Sequence, residues 1–172
     1  MINVKVYKIN KDVQRPEYAT EGSSCFDIRA DLTNHNKVKG YLPSNISHDI
    51  QPMLNKSNNK MAMVLTGNCR ALIPTGLIFD IPDGYSMRIH PRSGLAIKFG
   101  INLINCEGVI DSDYVNEIFI PLINNSVSLY TINHGDRIAQ CEIVKTEKVS
   151  YIETLNKPTK TTRNGGFGST GK

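Results

Sequence analysis

From Met61 to Val144 the chain is a succession of short strand-like runs set off by turn residues, and this spacing limits the possible folds more than any other feature. The runs are Met61 to Leu65, Arg70 to Ile73, Gly76 to Ile81 and Tyr85 to His90, with Pro82-Asp83-Gly84 as a turn between the last two. After Pro91 the segment Arg92 to Gly100 has room for at most one short helix. The strand pattern then resumes over Ile101 to Ile104, Val109 to Asp111, Glu117 to Ile123, Val127 to Ile132 and Arg137 to Val144. No strongly amphipathic helix interrupts the series. Short strands so closely spaced predict an all-β barrel or sandwich. Upstream, Val4 to Ile9 reads as a strand, and Ser24 to Ala30 as another with Phe26, Ile28 and Ala30 on one side and Asp27 and Arg29 on the other. Asp27 is therefore expected off the core face.

Two stretches depart from this pattern. From about Thr33 to Lys60 the chain is rich in Asn, Ser and Lys and carries Pro43 and Pro52, which predicts a long loop or surface insertion, with His35 and His48 as surface residues. Arg163 to Lys172 holds four glycines and a single apolar ring, which predicts a mobile arm following one β domain over 1–162. A chain of 172 residues suits a single domain with a real core.

The formal charge of +4 suits an anionic ligand, but the basic residues are scattered and lack aromatic interleaving. Small phosphates therefore rank above polymers, and no stable nucleic-acid binding is expected. Cys25, Cys69, Cys106 and Cys141 form no C-x-x-C pair, so buried free thiols are expected and not a zinc or redox site. The start, Met-Ile-Asn-Val-Lys-Val-Tyr-Lys, lacks the apolar core of a signal peptide, and no apolar run reaches membrane-spanning length. The expectation is a soluble, intracellular protein with no membrane association.

Three stretches could carry chemistry. Asn105 to Tyr114 reads as a strand turning sharply before a strand at Glu117 to Ile123. Such a turn can hold a small planar ring by its backbone groups, with Asp111 beside it and Tyr114 packed on what the ring carries, or it can be an ordinary acidic hairpin. Arg92-Ser93-Gly94 at a helix start can bind phosphate or cap the helix. The end resembles a phosphate loop in its Gly-x-x-x-x-Gly-Lys run, but no Ser or Thr and no helix follow Lys172, so that reading fails. What is left is a Gly-rich segment able to wrap an anion, or an idle tail.

Taken together and in order, these stretches resemble the trimeric deoxyuridine triphosphatase (dUTPase) family. Five of its motifs find matches: Gly22-Ser-Ser-Cys-Phe-Asp27-Ile-Arg-Ala30, Pro91-Arg-Ser-Gly-Leu-Ala96, Gly108-Val-Ile-Asp-Ser-Asp-Tyr114, Gly135-Asp-Arg-Ile-Ala-Gln140, and Arg163 through Gly171. The resemblance implies a distorted β-barrel or jelly-roll-like subunit, assembled as a homotrimer whose active sites are built from three chains. Three departures accompany it. Val115-Asn116 stands where the family often has Arg-Gly, and Asn tolerates the left-handed backbone a turn there could need. The spacing from Arg163 to the following glycines is one residue short, and the stretch at 33–60 is long for the family.

The resemblance also implies roles. Substrate would be dUTP, hydrolysed to dUMP and pyrophosphate by water attack on the α-phosphorus with Asp111 as general base. Mg²⁺ would bridge the phosphates, held through water by Asp27 and Gln140. Arg92, Ser93 and Gly94 would meet the α- and β-phosphates, the Ser93 hydroxyl stabilising the bridging oxygen. Arg163, Gly168, Ser169 and Thr170 would clasp the terminal phosphates. The base would be read by Asn105 and by the main chain of Gly108, Val109, Ile110, Asp111 and Phe119; Tyr114 would lie against the deoxyribose and Phe167 would cover the base. Arg137 would brace the site or the trimer. Two other readings share the scaffold: a dCTP deaminase, against which stand the intact Asp111 motif and the Gly-rich tail, and a non-catalytic interaction protein using the 33–60 stretch as its contact surface.

Overall fold

The computed structural model describes residues 2–160 and 162. Their strands, in chain order, are β1 (Lys5–Lys8), β2 (Glu17–Tyr18), β3 (Phe26–Arg29), β4 (Val38–Tyr41), β5 (Ser47–Ile50), β6 (Met53–Asn55), β7 (Lys60–Leu65), β8 (Arg70–Pro74), β9 (Leu77–Asp80), β10 (Tyr85–His90), β11 (Ile101–Leu103), β12 (Gly108–Ile110), β13 (Phe119–Asn124), β14 (Tyr130–Asn133) and β15 (Arg137–Lys145). One helix, α1 (Ser93–Phe99), follows Pro91 as expected. Gly100, at φ 69°, ends it by donating its N–H to the Ala96 carbonyl at 3.0 Å.

The strands form two five-stranded sheets, in the orders β12-β10-β15-β3-β2 and β11-β13-β8-β4-β5, and two smaller ones, β1-β9 and β14-β7-β6. None closes into a barrel. Every pairing is antiparallel, so each strand can keep one face in the core and one toward solvent. Ile28, Met87, Ile89, Ala139 and Cys141 from the first large sheet share one buried cluster with Val38, Ala71, Ile73, Leu103, Ile120 and Leu122 from the second. On β3 the alternation is as expected: Phe26 and Ile28 are buried, while Asp27 and Arg29 reach the other face.

The polar stretch at 33–60 is not a long loop. It holds β4, β5 and β6, and β4 pairs with β8 while β6 pairs with β7. Few apolar residues mark these strands because β5 and β6 lie at sheet edges, and Gly40 on β4 is small where a Cβ would come 2.9 Å from the His48 ring. His48 is correspondingly no simple surface residue: its Nδ1 is buried without a hydrogen-bond partner among the described residues. The thiols also divide differently from expectation. Cys69 and Cys141 are buried, and burial pushes the Cys141 thiol far up, whereas Cys106 is exposed in a left-handed turn. Among the described residues no helix is long and apolar enough to cross a membrane.

Candidate active site

A cleft of about 420 Å³ opens where β3, β15 and the start of α1 meet, and Asp27, Arg92, Ser93, Gly94, Arg137 and Gln140 all line it. Three of the sequence motifs therefore converge. Asp27 and Gln140 are register partners across β3 and β15, and Gln140 faces His90 across β10. A bulge between Arg137 and Ala139 breaks the alternation of β15, so Ile138 and Ala139 both turn inward and Arg137 joins Gln140 on the outer face. Asp27, with its side chain 14% exposed, holds both arginines: its Oδ1 lies 3.2 Å from Arg92 Nε, and its Oδ2 accepts from Arg137 Nη1 at 2.9 Å. Arg92 Nη1 also donates to the Arg137 carbonyl at 2.9 Å. One carboxylate and two guanidinium groups leave a net positive cleft.

No side chain caps the start of α1, and Ser93 is its first residue, so the helix-capping reading of Arg92-Ser93-Gly94 finds no support. A Cβ at Gly94 would meet nothing within 4 Å, and the position has no positive φ. No contact among the described residues requires glycine there. Gly108 is the opposite case, since a Cβ would come 3.1 Å from Ile89, and its smallness lets β12 lie against β10.

Gln140 Nε2 donates to the Pro91 carbonyl at 3.1 Å, which leaves its oxygen without a hydrogen bond among the described residues. With the Asp27 carboxylate it offers hard oxygen donors, too few to strip the waters from a small divalent ion, and no group of three or more His, Cys, Asp or Glu able to hold a metal occurs among the described residues. Ser23, Ser24 and Cys25 also line the cleft, though their place in the first motif was the only sign of it. The Cys25 thiol is pushed up by burial, then by the charges of Glu142 and Asp27, which makes it a poor nucleophile at neutral pH.

The second group of residues lies elsewhere in the subunit. Leu103 leaves the β11-β13 sheet, the chain turns through Cys106 at φ 62°, and Gly108–Ile110 joins the other large sheet beside β10. The strands flanking Asp111 to Asn116 are thus not paired with each other, and the turn is no hairpin. Asn116 does not use the left-handed backbone that Asn tolerates; Cys106 takes it, at φ 62°. Asp111 is exposed, its carbonyl accepts from Tyr114 N at 3.2 Å, and the Tyr114 hydroxyl donates to the Glu117 carbonyl at 2.9 Å. None of Asn105, Gly108, Val109, Ile110, Asp111, Tyr114 or Phe119 lines the cleft. Ile110 stands opposite Met87 on β10, whereas Asp27 is level with His90 and three strands from β12. At about 4.8 Å per strand and 3.4 Å per residue this separates their Cα atoms by roughly 18 Å. Arg163, Phe167, Gly168, Ser169 and Thr170 lie outside the described residues.

Comparison with known proteins agrees with the sequence motifs. The family model for dUTPase matches residues 54–171. A deoxyuridine 5'-triphosphate nucleotidohydrolase of Finegoldia magna is 43% identical over 172 residues, covering 98% of this chain and 99% of its own. The protein of the same name from Chlamydia muridarum is 39% identical over 166 residues, covering 96% of each. Among solved structures, a mutant Staphylococcus bacteriophage 80alpha dUTPase with dUpNHpp is similar at TM-score 0.75 and 20% identity over the whole of both chains. A mutant dUTPase from phage phi11 of S. aureus, in which a structural Mg(II) ion is coordinated, is similar at TM-score 0.67 and 19% identity over 90% of this chain and 98% of that one.

Proposed function

The chain belongs to the dUTPase family, and from that premise we propose that it hydrolyses dUTP to dUMP and pyrophosphate at a site shared between subunits of a homotrimer. Water attacks the α-phosphorus: an oxygen–phosphorus bond forms, the bond to the bridging oxygen breaks, and pyrophosphate leaves with the electron pair. The water proton passes to the Asp111 carboxylate, the general base of this reading. Arg92 and Ser93 bind the α- and β-phosphates, and the Ser93 hydroxyl stabilises charge on the bridging oxygen. Gly94 leaves room for this approach. Arg163, Gly168, Ser169 and Thr170 hold the terminal phosphates, and Phe167 covers the base.

Asp27 and Gln140, with their hard oxygen donors, would hold Mg²⁺ through water. When bound, Mg²⁺ offsets the charge of the triphosphate. In the free protein Asp27 already ties down Arg92 and Arg137, so an anion entering the cleft competes with one carboxylate for two guanidinium groups. Asn105 and the main chain from Gly108 to Asp111 and at Phe119 read uracil. A cytosine would present a donor where uracil presents an acceptor and leave buried groups unpaired, which is a strong form of discrimination. Tyr114 lies against the deoxyribose.

The observation that carries this reading is the cleft, which gathers Asp27, Arg92, Ser93, Gly94 and Gln140 from three separated motifs. Its distance from the Asp111 turn within one subunit supports the trimer, because a neighbouring copy can bring the turn that the cleft lacks. The test is incubation of the pure protein with dUTP or dCTP and Mg²⁺, followed by product identification. Release of dUMP and pyrophosphate is expected. Ammonia from dCTP would replace this reading with deamination, and no turnover would leave only a binding role.

A further inference from the structure

We propose that His35 is a positioning residue for the Asp111–Tyr114 turn, acting through Glu117, so that the polar segment following Asp31 serves the base-reading end of the site. The inference rests on the dUTP reading above. Glu117 is buried, and its Oε1 accepts from the Thr75 and Gly76 N–H groups at 3.2 and 2.7 Å. Its Oε2 has one described donor, His35 Nε2 at 2.9 Å. The carbonyl of the same residue accepts from the Tyr114 hydroxyl, and Tyr114 closes the turn on Asp111. An unbroken series of contacts therefore runs from His35 through Glu117 to the proposed sugar contact and the proposed base. The ring of His35 also meets Phe119 edge-on, with centroids 5.7 Å apart, on the residue whose main chain faces the uracil in the reading above.

The arrangement is specific to the side chain. His35 and Glu117 are 82 residues apart in sequence, and the Glu117 carboxylate cannot turn toward another donor without giving up Thr75 and Gly76. The backbone at Gly76 cannot follow, because its φ of 68° is fixed in a corner where even a Cβ would come 2.4 Å from Val13. Loss of the imidazole leaves one oxygen of a buried carboxylate unsatisfied, and the freedom that relieves it is rotation of Glu117 with the return leg of the turn. The cleft lined by Asp27 and Arg92 shares none of these contacts.

The experiment compares His35→Ala and His35→Gln with the parent protein, measuring kcat and KM for dUTP, the inhibition constant of dCTP, and melting temperature. Glutamine retains an N–H donor for Glu117. For His35→Ala, KM for dUTP is expected to rise and kcat to fall, each about tenfold, because the loosened turn carries both the base-reading main chain and Asp111. His35→Gln should restore KM to within about threefold of the parent. An unchanged KM in His35→Ala overturns the proposal. So does a joint fall of kcat, dCTP binding and melting temperature that glutamine fails to rescue, which would make His35 a part of the general scaffold. A parent protein unable to hydrolyse dUTP would overturn the proposed function itself, an outcome separate from either of these.

Discussion

Replacing Asp111 with Asn separates the role of a base from that of a structural carboxylate. Asp111 is exposed, and its side chain makes no hydrogen bond or ion pair among the described residues; only its backbone carbonyl is engaged, by Tyr114 N. Removing the charge should therefore change stability by no more than about 0.5 kcal/mol, about 1–2 °C in melting temperature for a domain of this size. Turnover is another matter. A positioned general base contributes about 10²–10⁴-fold, or about 2.7–5.5 kcal/mol at 1.36 kcal/mol per tenfold. Asn keeps the size of the side chain, so binding should persist. The assay is pyrophosphate release from dUTP, beside the dissociation constant of dUpNHpp and a melting curve. The expected pattern is kcat down by at least about a hundredfold, analogue affinity within about threefold, and unchanged melting. A kcat within a few fold of the parent would refute Asp111 as the base. A loss of turnover accompanied by a fall of several degrees in melting temperature would refute the inference that its carboxylate carries no structural load.

Three further outcomes follow from particular contacts. Gly94→Ala should fold at least as stably as the parent, since the Cβ enters open space and Gly inside a helix costs about 0.5–1 kcal/mol, yet it should raise KM for dUTP about tenfold by narrowing the cleft; unchanged KM would remove Gly94 from the phosphate site. Burial would raise the pKa of Asp31, but hydrogen bonds from Asn34 and Thr33 and the charge of His134 outweigh it and hold the carboxyl below its usual value. A depressed folded pKa gives stability that is complete above the unfolded value of about 3.9 and lost as pH falls through the folded one, so the melting difference between the parent and Asp31→Asn should be full near pH 5 and shrink below about 4. Coexpressed Asp111→Asn and Arg92→Ala chains, each inactive alone, should recover about a quarter of parental activity, because in a randomly mixed threefold ring one site in four joins an intact turn to an intact cleft. No recovery would place both halves of the site in one chain.

The strand pattern from Met61 to Val144 was legible because short apolar runs over a common core are set off by turn residues, and on β3 strict alternation placed Asp27 on the correct face. The 33–60 stretch was not, since a strand at a sheet edge needs little apolar surface, and Gly40 and His48 replace the expected alternation with a close fit of ring on backbone. The sharing of one face by Arg137 and Gln140 was also hidden. Residues three apart on a regular strand point opposite ways, and only the bulge at Ile138 brings them together. No local signal ties His35 to Glu117, because that contact exists only once β4 has paired with β8 and carried the segment across the sheet.

The motifs pointed to both groups of residues in the proposed site but not to the distance between them, and that distance bears most on the proposed assembly. Had β12 paired with β3, Asp111 and Asp27 would lie on neighbouring strands of one sheet. Instead β10 and β15 intervene, with Met87 of β10 opposite Ile110 and His90 opposite Gln140. Neither element can shift to close the gap, since Gly108 is packed on Ile89 and Gln140 is held by Pro91 and by its register with Asp27. In the proposed reading, a dUTP molecule with its phosphates on Arg92 finds its base-reading turn on a neighbouring copy. In the closed ring of identical chains proposed above, the turn of one subunit meets the cleft of the next.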